Sequence, residues 1–330
     1  MFEIIKSGSK FDFVGKRYLW LAASAVTIIG SIALLGTKGL NYGIDFTGGA
    51  EVHVKAPADW DIGKLRAEME AGGIKGLKIV QLGQASEHEF LIKAQGDEKS
   101  LNQISAQVED VFKKDPVAAT NYSIQKVNVV GPAAGGELRK SGFLSMLYAL
   151  LCILIYVTIR FDIRYSPGAV LALFHDTLIT LGIFVVMQIE FDLQILAAIL
   201  ALIGYSNNDT IIVFDRVRET LHQNPGMSIT EAVNKSINET LGRTILTSLS
   251  TFISVFALWA LGGKVIENFA FTLMVGLVVG TYSSVFIASS TVIFLTEYQE
   301  RKSARQKANG RAGHAKAARA MDSRPEPKLN

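Results

Sequence analysis

The sequence predicts an α-helical polytopic membrane protein of six transmembrane helices, with one small α+β domain of ferredoxin-like order held outside the membrane. Three observations predict it. Apolar residues gather in six blocks, each long enough to cross a hydrocarbon core of about 30 Å. One long hydrophilic segment, residues 37–141, follows the first block. Lys and Arg crowd into alternate short loops, as the positive-inside rule requires. Of 330 residues, 49% are hydrophobic and 19% charged. A soluble domain carries about 25% charged residues, so the balance argues against a soluble enzyme.

The predicted spans are Tyr18–Leu35, Gly142–Ile159, Gly168–Met187, Leu193–Phe214, Thr244–Gly262 and Asn268–Leu295. The first follows Lys16-Arg17 with no small-residue cleavage site after it, so it reads as a retained anchor rather than a signal peptide. Nineteen Lys and Arg lie in the N-terminal arm, the second and fourth loops and the tail, against one in the opposing short loops. Both termini are therefore expected in the cytoplasm. The expected organisation is an arm at 1–17, a first span at 18–36, an exported domain at 37–141, five spans within 142–295 and a basic tail at 296–330.

Within the exported segment the pattern alternates between periods of 2 and 3.6. Ala50–Lys55, Leu77–Leu82, Glu89–Ala94 and Tyr122–Val129 read as strands; Asp61–Ala71 and Leu101–Phe112 read as helices. The order β-α-β-β-α-β is that of a split βαβ, ferredoxin-like domain. His53 and His88 stand alone, and no nucleophile–base pair or metal-ligand set appears, so binding or scaffolding is expected rather than catalysis. Glycine-rich stretches bracket the domain, Gly43–Gly49 and Gly131–Arg139. Asp45, Gly48, Gly49, Gly131 and Gly136 are their candidate turn or hinge residues, because glycine permits positive φ and close backbone approach.

Polar residues inside apolar spans carry the functional signal. Span three holds His175-Asp176, span four holds Ser206-Asn207-Asn208-Asp209, and span five opens on Arg243. An Asp at mid-bilayer costs about 2.5–3.5 kcal/mol on insertion scales, so it needs a compensating contact. Asp209 is either a carboxylate that gains and loses a proton or a member of a fixed ion pair. Arg243 is its candidate partner, or only a positive-inside marker. Asp176, expected nearer the membrane edge, is a further candidate beside His175. Helical steps of 100° prevent Asn207, Asn208 and Asp209 from all facing one neighbour.

Between spans four and five, Ser228 and Glu231 form a capping-box pattern. Ile229, Val233, Ile237 and Leu241 then recur at i+4, which predicts an amphipathic helix lying on the membrane surface. The tail is Ala-, Gly- and Arg/Lys-rich and is expected to be disordered, with anionic lipid as a possible contact. Cys152 is the one cysteine, which excludes an intrachain disulfide. A net charge of +3 gives no reason to expect nucleic acid as a partner.

Several stretches together resemble the SecD/SecF protein-export family of the RND superfamily, on its SecF side. They are Asn41–Gly49, Val130–Pro132 with Gly136–Leu138, Ala172–Asp176, Ile203–Glu219 and Leu241–Ser248, in this order within a six-span chain. The resemblance implies one six-span half of an RND-type bundle. It implies a SecD partner, the SecY-SecE-SecG channel and unfolded preproteins, with the proton-motive force promoting late steps of export. Protons are the coupling ion, and no other cofactor is implied. The resemblance puts the family's functional membrane charges at Asp209 and Arg243 and adds Asp176. Asp215 and Arg216 belong to the same motif as Asp209, and His175, Ser206, Asn207 and Asn208 are supporting polar residues. A serine is common in the family where this chain has Phe214. Two other readings remain: half of an RND-type exporter of small molecules or lipids, and a passive membrane scaffold.

Overall fold

The computed structural model describes residues 11–74, 77–95, 98–161 and 164–322. Helix α1 (Arg17–Thr37) leads to a two-residue strand β1 (Asn41–Tyr42) and a single helical turn α2 (Ile44–Thr47). The hydrophilic domain follows as β2 (Gly49–Lys55), α3 (Ile62–Ala71), β3 (Lys78–Leu82), β4 (Glu89–Ala94), α4 (Glu98–Lys114), α5 (Ala118–Asn121) and β5 (Ser123–Val130). Then come α6 (Pro132–Arg160), α7 (Ser166–Met187), β6 (Glu190–Phe191), α8 (Leu193–Gln223), α9 (Ile229–Leu261) and α10 (Lys264–Ser283). A π-helical turn at Ser284–Ala288 joins α10 to α11 (Ser289–Asp322). Among the described residues, six helical segments are long and apolar enough to cross a membrane: α1, α6, α7, α8, α9 and the α10–α11 rod.

The sheet of the hydrophilic domain is antiparallel throughout, in the order β3-β4-β2-β5. The strands alternate buried and half-exposed residues, so Val52, Val54, Phe90 and Ile92 meet the helices on one face. Trp60, Leu65, Met69 and Phe112 fill the space between, all fully buried. Burying each such side chain contributes about 1.5–3 kcal/mol. Asp61 caps α3 by accepting from the Lys64 amide at 2.7 Å.

Hydrophobic transfer cannot drive helices together in lipid, so small residues set the bundle contacts. Gly182 of α7 lies against Ser31 of α1, where a Cβ would fall 2.2 Å from the serine oxygen. Gly168 lies against the Ala288 carbonyl, and Gly276 against Leu202. Helices α7, α8 and α10 form the buried centre, whereas α1, α6 and α9 are mostly exposed.

The structure departs from the sequence reading in three elements. Residues 229–241 are not a separate amphipathic helix; they are the first turns of the continuous α9. Ile229, Val233 and Ile237 pack on Val213 and Val217 of α8 and on Val14, so their apolar face is spent on protein. Asn234 and Asn238 grip the arm through the amides of Phe13 (2.9 Å) and Phe11 (2.8 Å). The tail is helical as far as Asp322, which suits its Ala, Arg, Lys and Gln content. Helix α6 starts at Pro132, ten residues before the apolar block, because Pro at the first position and Gly131 before it form a ready N-terminus.

Candidate functional site

The bundle centre holds one connected polar cluster, and Asp176 is its hub. Asp176 sits near the middle of the 22-residue α7, not near the membrane edge as its sequence position suggested, and is 2% exposed. Its Oδ2 accepts from Ser206 Oγ of α8 at 2.6 Å and from Ser283 Oγ of α10 at 2.8 Å. Its Oδ1 lies 2.9 Å from Nδ1 of the buried His175. His175 Nε2 lies 3.2 Å from Ser24 Oγ of α1, and Ser24 Oγ lies 2.9 Å from the Tyr282 hydroxyl. Tyr282 donates to the Trp20 carbonyl at 3.1 Å, and its ring stacks on His175. Gly280 leaves room for the Ser206–Asp176 bond, since a Cβ there would fall 3.0 Å from Ser206.

The polar run on α8 divides among different neighbours, as its 100° steps require. Ser206 turns to Asp176. Asn207 is buried, with no partner for its Oδ1. Asn208 is exposed. Asp209, 2% exposed, accepts from Ser248 Oγ of α9 at 3.3 Å, and Ser248 is held in turn by Thr281 at 2.9 Å.

The expected Asp209–Arg243 pair is not formed. Arg243 is exposed and makes no ion pair within 4.0 Å among the described residues. The helix geometry explains this. Ser248 faces Asp209, and Arg243 lies five residues away, about 140° around the helix and about 8 Å along it. Thr244 takes the inward position instead, buried and with its Oγ1 unpaired. Asp215 and Arg216 stand outside the buried cluster. Asp215 meets Arg160 at 3.4 Å, and Arg216 forms 2.6 Å contacts with Glu239 and Glu219, which tie helix ends together. Phe214 is buried against Tyr165 and Phe161.

The glycine-rich brackets meet each other where the sheet domain joins the bundle. Gly48 has φ +80°, and a Cβ there would fall 2.7 Å from Pro132 Cα. Gly135 approaches the Gly48 amide as closely, and Gly49 lies under Ile44 and the Ala94 carbonyl. Gly131 and Gly136 have open space and ordinary φ, so nothing around them requires glycine. Asp45 reaches across to α8, where its Oδ2 accepts from the Leu193 amide at 3.1 Å beside the N-cap Asp192.

A second anchor was not legible in the sequence. Strand β1 pairs in parallel with β6, and Gly43 donates to the Phe191 carbonyl at 2.9 Å. Glu190 of β6 takes Lys78 of β3 at 2.8 Å and Lys93 of β4 at 2.9 Å, and Glu51 joins Lys93 at 3.1 Å. Burial opposes charge on both Glu190 and Lys93. The bonds from Lys78 and Lys93 prevail at Glu190, and those to Glu190 and Glu51 prevail at Lys93, so the carboxyl is held below its ordinary range and the ammonium above its own. Burial pushes the Asp192 carboxyl up, and the nearby Asp45 and Glu190 charges add to the shift. Among the described residues, no three His, Cys, Asp or Glu side chains gather as a metal site.

Residues 108–298 match the family model of the SecD/SecF protein-export membrane protein C-terminal region, and residues 33–56 match that of the SecD/SecF GG motif. The chain belongs to the SecD/SecF family. It is 43% identical over 304 residues to a protein translocase subunit SecF of Calditerrivibrio nitroreducens, covering 91% of this chain and 98% of that one. It is 38% identical to a SecF of Pseudomonas aeruginosa over 295 residues, covering 88% and 93%. Its fold is similar to the crystal structure of SecDF, a translocon-associated membrane protein from Thermus thermophilus. The TM-score is 0.74 at 34% identity, covering 88% of this chain and 39% of that longer one. The SecD/SecF chain described here is thus a multi-pass membrane protein whose relatives are named translocase subunits.

Proposed function

We propose that this SecD/SecF-family chain works with a SecD partner beside the SecY-SecE-SecG channel. There it uses the proton-motive force to promote late steps of preprotein export across the bacterial cytoplasmic membrane. Both termini are cytoplasmic, and the sheet domain, whose strand order fits the ferredoxin-like arrangement, is exported. Protons are the coupling ion. The SecD partner covers the exposed faces of α8 and α9, where Asn208 and Arg243 would otherwise meet lipid.

One observation carries the reading. Two buried carboxylates bear on one helix, α8: Asp176 of α7 accepts from its Ser206, and Asp209, on α8 itself, accepts from Ser248 of α9, while Asp45 from the segment leading into the sheet domain accepts from the first amide of α8, that of Leu193. A proton bound at either carboxylate changes the contacts of α8, and α8 holds the domain's root. One charge moved through 100 mV is worth about 2.3 kcal/mol, enough to bias a two-state repacking. No metal, nucleotide or covalent chemistry is needed.

The test is preprotein export into inverted membrane vesicles with the proton gradient on and off, comparing Asp209→Asn with wild type at matched expression. Loss of the gradient-dependent part alone is expected. Unchanged export in both conditions would reduce the polar cluster to helix glue and favour the scaffold reading.

A further inference from the structure

Hydrogen-bond direction around His175 has a consequence for proton count. Tyr282 has one hydroxyl proton and Ser24 has one. If Tyr282 donates to the Trp20 carbonyl, it accepts from Ser24; Ser24 has then spent its proton and accepts from His175 Nε2–H. The 2.9 Å contact between Nδ1 and Asp176 then holds one further proton, shared between the imidazole and the carboxyl. With the opposite polarity Tyr282 donates to Ser24, Ser24 donates to Nε2, and Nδ1–H donates to an ionised Asp176. The same heavy atoms therefore serve two states that differ by one proton.

We propose that Tyr282, Ser24 and His175 form a proton wire that loads and unloads the Asp176 carboxyl from the end of the bundle where α1 begins. This rests on the proton-coupled reading above. The step balances. A proton from bulk water arrives on the Tyr282 oxygen, and the existing Tyr282 proton passes to Ser24. The Ser24 proton passes to His175 Nε2, and the Nδ1 proton passes to Asp176 Oδ1. The imidazole ends neutral in its other tautomer, the carboxyl ends neutral, and every bond in the chain is reversed. Ser206 and Ser283 hold Oδ2 in both states, so the acid stays in position while Oδ1 gains and loses the proton.

The surroundings suit a wire. Ser24, His175 and Asp176 are all at least nine-tenths buried, whereas Tyr282 and Trp20 are only partly so. Ser24 to Trp20 is one helical turn, about 6 Å toward the start of α1. Among the described residues, no charged side chain of α1, α6, α8, α10 or α11 bonds to His175 or Asp176; Asp209 is turned to Ser248, and Arg17 is paired with Glu297. The π-helical turn begins directly after Ser283, and such turns are frequent at functional sites. It brings Phe286 onto Trp20 and Tyr282, flanking the outer end of the chain of hydroxyls.

The test uses the full chain with its SecD partner in liposomes and needs no preprotein. After a pH jump, infrared spectroscopy follows the carboxylic C=O band that is absent in Asp176→Asn. Tyr282→Phe keeps the ring packing and Ser24→Ala keeps the helix, so both are expected to fold. Each should slow the rise of that band about 100-fold. Ser31→Ala, further along α1 and outside the wire, should not slow it. The wire is overturned if the band rises in Tyr282→Phe and Ser24→Ala as fast as in wild type, or if no band is lost in Asp176→Asn. Gradient-driven export by the same variants separates the two ideas. Slow protonation with gradient-independent wild-type export would keep the wire and sink the motor, and fast protonation with gradient-driven export would do the reverse.

Discussion

Glu190→Gln should loosen the sheet domain from the bundle, and the structure says which partner will feel it. The carboxylate and Lys93 are only 17% and 15% exposed at 2.9 Å, whereas Lys78, at 2.8 Å, is 53% exposed. A hydrogen bond to a charged group that is largely out of water is worth about 1.5–3 kcal/mol. An exposed pair is worth about 0.2–1 kcal/mol. A neutral amide keeps one acceptor oxygen, so the single variant should cost about 2 kcal/mol. The assay is a double-mutant cycle by denaturant unfolding in detergent micelles, pairing Glu190→Gln first with Lys93→Met and then with Lys78→Met. Coupling to Lys93 should reach about 1.5–3 kcal/mol and exceed coupling to Lys78. Coupling to Lys93 below about 0.5 kcal/mol, or an order reversed, would refute the burial argument.

Two further outcomes follow from the same contacts. Gly48→Ala forces a side chain onto a positive φ and into the Pro132 backbone, at a cost of about 2–5 kcal/mol in thermal unfolding, whereas Gly136→Ala should be neutral or stabilise α6 by up to about 1 kcal/mol. The Glu190 anchor should also depend on pH. Its folded carboxyl is held below the ordinary value of 4.5, so its contribution is complete above that value and is lost as pH falls through the lower, folded one. Spin labels on the sheet domain and on α10 should stay together at pH 4.5 in wild type and separate only as pH falls through the lowered value of the folded carboxyl, with no such transition in Glu190→Gln.

The domain's six main elements are legible in the sequence to within about three residues, because amphipathic period and burial agree there. Leu101, Ile104, Val108 and Phe112 predict α4, and all four are buried. The apolar blocks are legible for the same kind of reason. What escapes sequence reasoning depends on partners far away in the chain. The β1–β6 pairing joins residues 149 apart with two residues a side, too short to leave a period. Ser24 looks like an ordinary small residue in an apolar span. Only its seven-residue spacing to Ser31, matched by His175 and Gly182 on α7, hints that this stripe faces the bundle. The opposite charges of Asp209 and Arg243 suggest a pair, but which residue of α9 faces α8 depends on rotation about the helix axis. The π turn follows no sequence rule used above.

Helix α9 is a single rod of 33 residues, about 50 Å long, with no break between the segment that clamps the N-terminal arm and the far mouth of the bundle. A rod pivoting at its middle moves its two ends in opposite directions. A tilt of about 10° would carry each end some 4 Å, roughly the spacing of neighbouring strands. Ser248 sits just past the midpoint, beside Asp209, where the rod turns but hardly travels. The carboxylate can therefore remain bonded at the fulcrum while Asn234 and Asn238 at one end and Leu261 at the other sweep in opposite directions. A tilt about that point would in this way carry a small displacement to both ends of the rod.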